Sequence, residues 1–297
     1  GRFMAEEGGT YFANAHKYGF YYSFFFVDFT SGYLNLWANI SGIIANIFTL
    51  KLAPLISNYL ALVPKLLIFY FILYKDSYFI DKFQYKLLFC LLILLSPFNV
   101  PEIWLNSINS QIFFCILSFL VVFNKNEKKD TNYYNLLIIL IAGFTGVYTC
   151  VLLPIFFFKY LKFKTSQDKY NLIVLLFCTI CQLIMVVYTK TSNLLYEGKL
   201  HTVDINLIYN YFYNVPVKAF LGRNLSQFIF YNLNINVQFA FFLICILSLL
   251  IAAYLIYYFK KNKKVFNRNK FIFNSLLYSF FSISLLVLIG GVGEYVG

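Results

Sequence analysis

The sequence predicts an all-α protein, a polytopic bundle of transmembrane helices. Of its 297 residues, 61% are hydrophobic and only 12% are charged, and the mean hydropathy is +0.71. An ordinary soluble domain carries about 25% charged residues, so a soluble core of this size would have too few charged side chains to cover it. Apolar runs also recur at close to the 20 residues or so that a helix needs to cross a bilayer. These observations exclude a water-soluble fold.

The apolar runs define the predicted spans. Two of the runs are shorter than a bilayer needs, so we expect the connection between them, from Pro97 to Ser107, to dip into the membrane and line a protected cavity. The runs lie at 53–74, 84–97, 108–123, 171–189, 239–259 and 271–290, with a more ambiguous stretch at 136–158.

The orientation of the spans follows from their basic loops. Sixteen of the 24 Lys and Arg residues lie in four short segments, 75–86, 124–135, 159–170 and 260–270. Basic residues in short loops mark the cytoplasmic side. Because this charge is spread over membrane loops, it predicts contact with anionic lipid headgroups rather than with nucleic acid.

The stretch 136–158 has basic segments on both flanks, which predicts that it enters and leaves the membrane on the same side. Glycines at Gly143 and Gly146 divide it, and Pro154 lies in its second half. We therefore expect a re-entrant pair of half-helices. A single span is the alternative, but it would place the Lys-rich segment 260–270 outside.

This topology divides the chain into regions of one transmembrane domain, 1–297. It comprises an outer loop at 1–52, core spans at 53–190, a long outer loop at 190–238 and the last spans at 239–297. The ends suggest a fragment of a longer protein, with a first membrane helix preceding Gly1. Within the first outer loop, we expect a helix from Gly32 to about Phe48 to lie along the outer membrane interface, because it is too polar for a lipid-facing span.

Two adjacent carboxylates, Glu6 and Glu7, precede Gly8 and Gly9 in the first outer segment. Such a pair can hold a divalent cation such as Mg²⁺ or Mn²⁺, or supply a general base. The alternative is a helix N-terminus that is stabilised by acidic residues in its first turn.

Further polar residues follow Pro101. Glu102, Asn106 and Asn109 have i, i+4, i+7 spacing and are predicted to share a helical face at the outer membrane boundary, with Trp104 and Gln111 close by. Polar groups at that depth are costly unless they are paired or solvated, so they are candidates to line a cavity. Hydrogen bonding between helices is an equally good explanation.

The long outer loop contains Lys218 and Arg223, which are candidates to hold a phosphate, because a fixed guanidinium bridges phosphate oxygens well. Scattered solvated charges are the alternative.

Several of these motifs together resemble the GT-C superfamily of integral membrane glycosyltransferases. The resemblance is carried by Arg2-Phe-Met-Ala-Glu-Glu-Gly8 with Tyr11-Phe12, by Gly32-Tyr-Leu-Asn-Leu36, and by Glu102-Ile-Trp-Leu-Asn106 with Asn109-Ser-Gln111. It implies a polyprenyl-phosphate-linked sugar as donor and an acidic residue of the first outer loop as the catalytic or metal-binding group. It gives that position to Glu6 and Glu7 and leaves open which of them acts.

The leading hypothesis is therefore sugar transfer to a cell-envelope glycan or lipid on the outer face of a bacterial cytoplasmic membrane. Glu6 or Glu7 would be catalytic, and the substrate would contact Tyr33, Asn35, Glu102, Trp104, Asn106, Asn109, Gln111, Lys218 and Arg223. A transporter or flippase of lipid-linked saccharides also fits many spans and a broken helix hairpin. A non-catalytic membrane subunit is the third possibility, and it does not require the Glu6-Glu7 pair.

Overall fold

The computed structural model describes residues 3, 5–28, 32–75, 82–95, 105–124 and 132–191, with short stretches at 274–276 and 278–279. These residues are mostly helical, and they form no β-strand beyond two isolated bridges. The contacts divide the chain into two compact units, one of Gly1–Leu95 with Asn99–Tyr196 and the other of Ser96–Phe98 with Glu197–Gly297. The packing described below lies within the first unit, whereas the described stretches 274–276 and 278–279 of the second are helical.

Eight α-helices make up the described part of the first unit. They are α1 (Ala13–Phe24), α2 (Leu36–Asn46), α3 (Ala53–Tyr74), α4 (Phe83–Leu95), α5 (Ser110–Val122), α6 (Tyr133–Phe144), α7 (Leu153–Phe163) and α8 (Ser166–Thr191). Short 3₁₀ turns at Ala5–Glu7 and Cys150–Leu152 and a π-helical turn at Gly8–Phe12 precede α1 and α7.

Two of the described helices, Ala53–Tyr74 and Ser166–Thr189, are long and apolar enough to cross a membrane, with hydropathies of 1.8 and 2.5. Three more, Phe83–Leu94, Ser110–Val122 and Tyr133–Phe144, are apolar but shorter. The predicted spans at 53–74, 84–97, 108–123 and 171–189 therefore correspond to helices. The predicted span 239–259 and most of 271–290 lie outside the described residues.

The stretch between 132 and 165 forms two short helices, α6 and α7, which both pack against α8. At the start of α6, the Asn132 amide donates to Gln167 Oε1 over 2.5 Å, and after its end Gly146 O accepts from Gln182 Nε2 over 3.5 Å. The chain then returns to the start of α8, as shown by the ion pair between Lys159 of α7 and Asp168. Both ends of the stretch thus lie beside the first turn of α8. The turn between α6 and α7 lies near the middle of α8.

Helix α2 is enclosed by its neighbours, for it packs against α1, α3 and the π-helical turn, and none of its residues is exposed. We expected this helix to lie along the membrane surface, and that remains a prediction. Two of its predicted polar residues bond within the protein: Asn35 Oδ1 accepts from the Ala38 amide, and Asn39 Nδ2 donates to Phe24 O and Phe26 O. Part of the polarity that predicted an interfacial helix therefore caps α2 and joins it to the end of α1.

Candidate functional site

Glu6 and Glu7 lie in the 3₁₀ turn Ala5–Glu7, which continues into the π-helical turn Gly8–Phe12. Successive residues of a 3₁₀ helix point about 120° apart, so the two carboxylates cannot face the same way. Glu7 is only 2% exposed, whereas Glu6 is exposed. The sequence treated them as an interchangeable pair, but the fold gives them different surroundings.

Glu7 is an acceptor at the centre of a buried network. Its Oε1 atom accepts from the Ser107 amide over 2.6 Å, from the Ser107 hydroxyl over 2.5 Å and from the Ser57 hydroxyl over 3.1 Å. The carboxylate thus ties the N-terminal turn to α3 and to the turn before α5.

The network extends to α2 through a second serine. Ser41 Oγ lies 3.0 Å from Ser57 Oγ, and because Ser57 directs its proton at Glu7, it can accept from Ser41. Next to Ser41, Gly42 permits a close crossing, since a Cβ there would lie 2.7 Å from the backbone carbon and oxygen of Tyr11. Any larger residue would push the N-terminal turn away from α2.

A buried lysine lies two helical turns below Ser57, on the same face of α3. Lys65 is 2% exposed, its Nζ donates to Ala61 O over 2.6 Å and lies 4.3 Å from the centre of the Phe113 ring. The charges of Glu7 and Lys65 also interact with each other. Lys65 therefore belongs to the same buried polar region as Glu7.

The carboxylates of Glu6 and Asp28 both act electrostatically on Tyr11 and Tyr33. Burial raises the pKa of Tyr33 to about 12, the hydrogen bond from Gln111 opposes this, and the charges of Asp28 and Glu6 add to the increase. Burial also raises the pKa of Tyr11 well above its usual value, with contributions from Tyr33, Asp28 and Glu6. At neutral pH both phenols are therefore protonated and can donate hydrogen bonds beside two carboxylates.

The polar residues near Gln111 lie in a turn rather than on one helical face. Asn106 Oδ1 accepts from the Ile108 amide over 2.8 Å, and α5 begins only at Ser110. The prediction that Asn106 and Asn109 share a helical face is wrong, because the side chain of Asn106 bonds its own backbone two residues on and holds a turn. Glu102 and Trp104 lie outside the described residues.

Tyr33 and Asn35, which the sequence predicted as substrate contacts, are held by other parts of the protein. Gln111 Nε2 donates to the Tyr33 hydroxyl over 3.2 Å, and Asn35 Nδ2 donates to Ile108 O over 3.2 Å. Asn35 is 1% exposed and caps α2. It therefore holds the start of α2, and Tyr33 is held by Gln111.

Gln182 of α8 fixes this segment to the turn that follows α6. Its Oε1 accepts from the Leu34 amide over 3.0 Å, and its Nε2 donates to Leu34 O over 2.9 Å and to Gly143 O over 3.2 Å. The Gly146 amide also donates to Leu34 O over 3.0 Å. Gly146 has φ of +84°, and a Cβ there would collide with Gln111 Oε1, so the turn requires glycine.

The predicted cation ligands Glu6 and Glu7 differ in how far they are available. Glu7 Oε1 is occupied by three hydrogen-bond donors, and within the described ranges no group of three or more His, Cys, Asp or Glu residues could hold a metal ion. Mg²⁺ is usually bound through one or two carboxylates together with substrate phosphates and water.

Sequence reasoning missed Asp28, Ser57, Ser107 and Gln182. Asp28 follows a run of aromatic residues and precedes Gly32, which is a turn signal that the search for paired acids passed over. Gln182 could have been found from the sequence, since burying an unpaired amide inside an apolar helix costs free energy and the amide therefore needs hydrogen-bond partners. The predicted phosphate contacts Lys218 and Arg223 lie outside the described residues.

Comparison with known proteins gives no relative: no family model, curated protein or solved structure matches this chain.

Proposed function

We propose that the protein is a multi-pass enzyme of the bacterial cytoplasmic membrane that transfers a sugar from a polyprenyl-phosphate donor to a cell-envelope acceptor on the outer face. The observation that carries the proposal is that Glu6 is exposed whereas Glu7 is buried. A catalytic base must reach the substrate, and Glu6 is exposed beside Asp28, Tyr11 and Tyr33. Glu7 is buried and bonded to Ser107 and Ser57.

In the proposed reaction, Glu6 accepts the proton of an acceptor hydroxyl. The freed oxygen attacks the anomeric carbon of the donor sugar, the bond between that carbon and the phosphate oxygen breaks, and polyprenyl phosphate leaves with the bonding electrons. Tyr33, as a protonated phenol, donates a hydrogen bond to the sugar or phosphate. Glu7, with Lys65 behind it, positions the turn that carries Glu6.

A divalent cation held at Glu6 is the alternative to its role as base, and such an ion would offset the negative charge that develops on the leaving phosphate. Lys218 and Arg223 of the long outer loop stay candidates to hold a phosphate.

The membrane placement is part of this proposal. Helix α6, with 12 residues, is about 18 Å long at 1.5 Å per residue, which is close to half of a bilayer core. Because α6 and α7 begin and end beside the first turn of α8, we propose that they enter and leave on the cytoplasmic side. Their turn is then enclosed by Leu34 and Gln182 at mid-depth, where irregular backbone is tolerated only inside protein.

A mass spectrum of the lipid-linked sugars in a deletion strain tests the function. The expected result is accumulation of one polyprenyl-phosphate sugar and loss of one sugar from the envelope. The wild-type gene and a Glu127→Gln control, in a predicted cytoplasmic loop, should restore the envelope sugar, whereas Glu6→Gln should not. An unchanged lipid pool would contradict glycosyl transfer. Labelled saccharide that crosses proteoliposomes without an acceptor would favour the transporter.

A further inference from the structure

The first half of the described chain exposes a concentrated aromatic surface on α1. Tyr21 is 82% exposed and Phe25 is 72% exposed, and every residue from 16 to 22 is exposed. We define the aromatic surface of α1 as Tyr18, Phe20, Tyr21, Tyr22 and Phe25. A cluster of large aromatic side chains left open to water is unusual and marks a contact surface.

The aromatic surface is held in place by the backbone. At Gly19 the chain leaves the helical conformation, with φ of +78° and ψ of −173°, so the exposed residues form a projection between two short helical pieces. Both sides of this projection are anchored on α2. Asn46 Nδ2 donates to Ala15 O over 3.2 Å, and Asn39 Nδ2 donates to Phe24 O over 3.2 Å.

A second exposed apolar segment lies at the same end of the helices. Between α2 and α3, Ile47 is 76% exposed and Leu50 is 69% exposed. Phe12, which precedes α1, forms a buried cluster with Ala45 of α2 and Ala53, the first residue of α3. The start of α1 is therefore level with the start of α3, which the charge distribution predicts to be the outer end of the first span.

The chemistry of the surface indicates what covers it. Tyrosine and phenylalanine rings with a neighbouring lysine are typical of the region where lipid headgroups meet the acyl chains, and Lys17 is exposed beside Tyr18, with Nζ 4.9 Å from that ring centre. Helix α2, by contrast, has no exposed residue with which to contact lipid.

We infer that the aromatic surface of α1, together with the exposed segment 47–52, lies in the headgroup region of the outer leaflet. Helix α1, and not α2, is then the interfacial helix of the first outer loop. This inference rests on the membrane placement proposed above and is independent of glycosyl transfer.

Photo-crosslinking in the full-length protein tests the inference. The amino acid p-benzoylphenylalanine replaces Tyr21, Phe25 or, as a control, Ile184, which is 60% exposed on α8 and should face acyl chains. The variants are irradiated in phospholipid nanodiscs and in native membranes, and the adducts are identified by mass spectrometry. Since the first two sites are exposed aromatic residues, the replacement should be tolerated, and Tyr22 can substitute if one variant does not fold.

Lipid adducts at both α1 sites, in a yield within about threefold of that at Ile184, are expected. Adducts to a second copy, to another protein or to this chain alone, or no adduct at all, would overturn the inference if Ile184 still captures lipid. Failure at Ile184 as well would instead contradict the proposed membrane placement.

Discussion

The Ser107 amide donates a hydrogen bond of 2.6 Å to Oε1 of Glu7, a residue 100 positions earlier in the chain. The bond joins the N-terminal turn to the turn before α5, and it is one of three that converge on the same carboxylate oxygen. Glu7 therefore acts as a structural junction, whereas its neighbour Glu6 is exposed.

Replacing Glu7 should destabilise the protein. Glu7→Ala leaves two Ser107 donors and the Ser57 hydroxyl unsatisfied in a buried place, so we expect a loss of about 3 kcal/mol. Glu7→Gln keeps an acceptor and should cost less. Thermal unfolding of the purified full-length variants in detergent measures both effects. Glu6→Ala is the matched control and should change stability by no more than about 0.5 kcal/mol.

The crossing of α2 over the N-terminal turn should tolerate no side chain at Gly42. Gly42→Ala places a Cβ 2.7 Å from the backbone of Tyr11, and overpacking of this kind costs about 1 to 3 kcal/mol. A lower melting temperature is expected. Gly9→Ala is the control, because a Cβ at Gly9 meets nothing within 4 Å. Equal stability of the two variants would show that the turn is not pressed against α2.

Gln182→Leu should loosen the contact between the Leu34 segment and the turn after α6. The substitution removes one acceptor and one amide donor that together serve Leu34, Gly143 and Gly146. We expect a loss of about 1 to 3 kcal/mol and faster hydrogen exchange at the amides of Leu34 and Gly146. Unchanged exchange at these amides would contradict the role assigned to Gln182.

The base of the α6–α7 pair depends on a buried ion pair. Lys159 Nζ lies 2.9 Å from Asp168 Oδ1, and Thr165 Oγ1 donates to Oδ2 over 2.7 Å. Asp168→Asn leaves Lys159 as an uncompensated buried charge, which costs about 3–5 kcal/mol. Thermal unfolding should show a large loss of stability for Asp168→Asn and almost none for Lys169→Met, an exposed neighbour.

The helices of the first half of the chain could be predicted because long apolar runs are typical of helices. The run 53–74 coincides with α3, Ala53–Tyr74, and the glycines Gly143 and Gly146 mark the observed break between α6 and α7. The local pattern reports how far a helix extends and where backbone freedom is needed.

The partners of the polar residues could not be predicted in the same way. Gln182 bonds Leu34 across 148 residues, and no local periodicity carries that information. Glu6 and Glu7 likewise have the same chemistry in the sequence, and only the packing of Ser57 and Ser107 against one of them separates a structural carboxylate from an exposed one.

The rate of sugar transfer by Glu6→Gln, compared with Glu7→Gln at equal amounts of folded protein, is the decisive measurement. The lipid that accumulates in the deletion strain serves as donor and envelope from that strain as acceptor. Loss of a general base lowers the rate by about 10² to 10⁴, so Glu6→Gln should lose at least about 100-fold with unchanged melting temperature, whereas Glu7→Gln should stay within about tenfold of wild type. Wild-type turnover by Glu6→Gln, or a well-folded and inactive Glu7→Gln, would contradict the assignment of catalysis to Glu6.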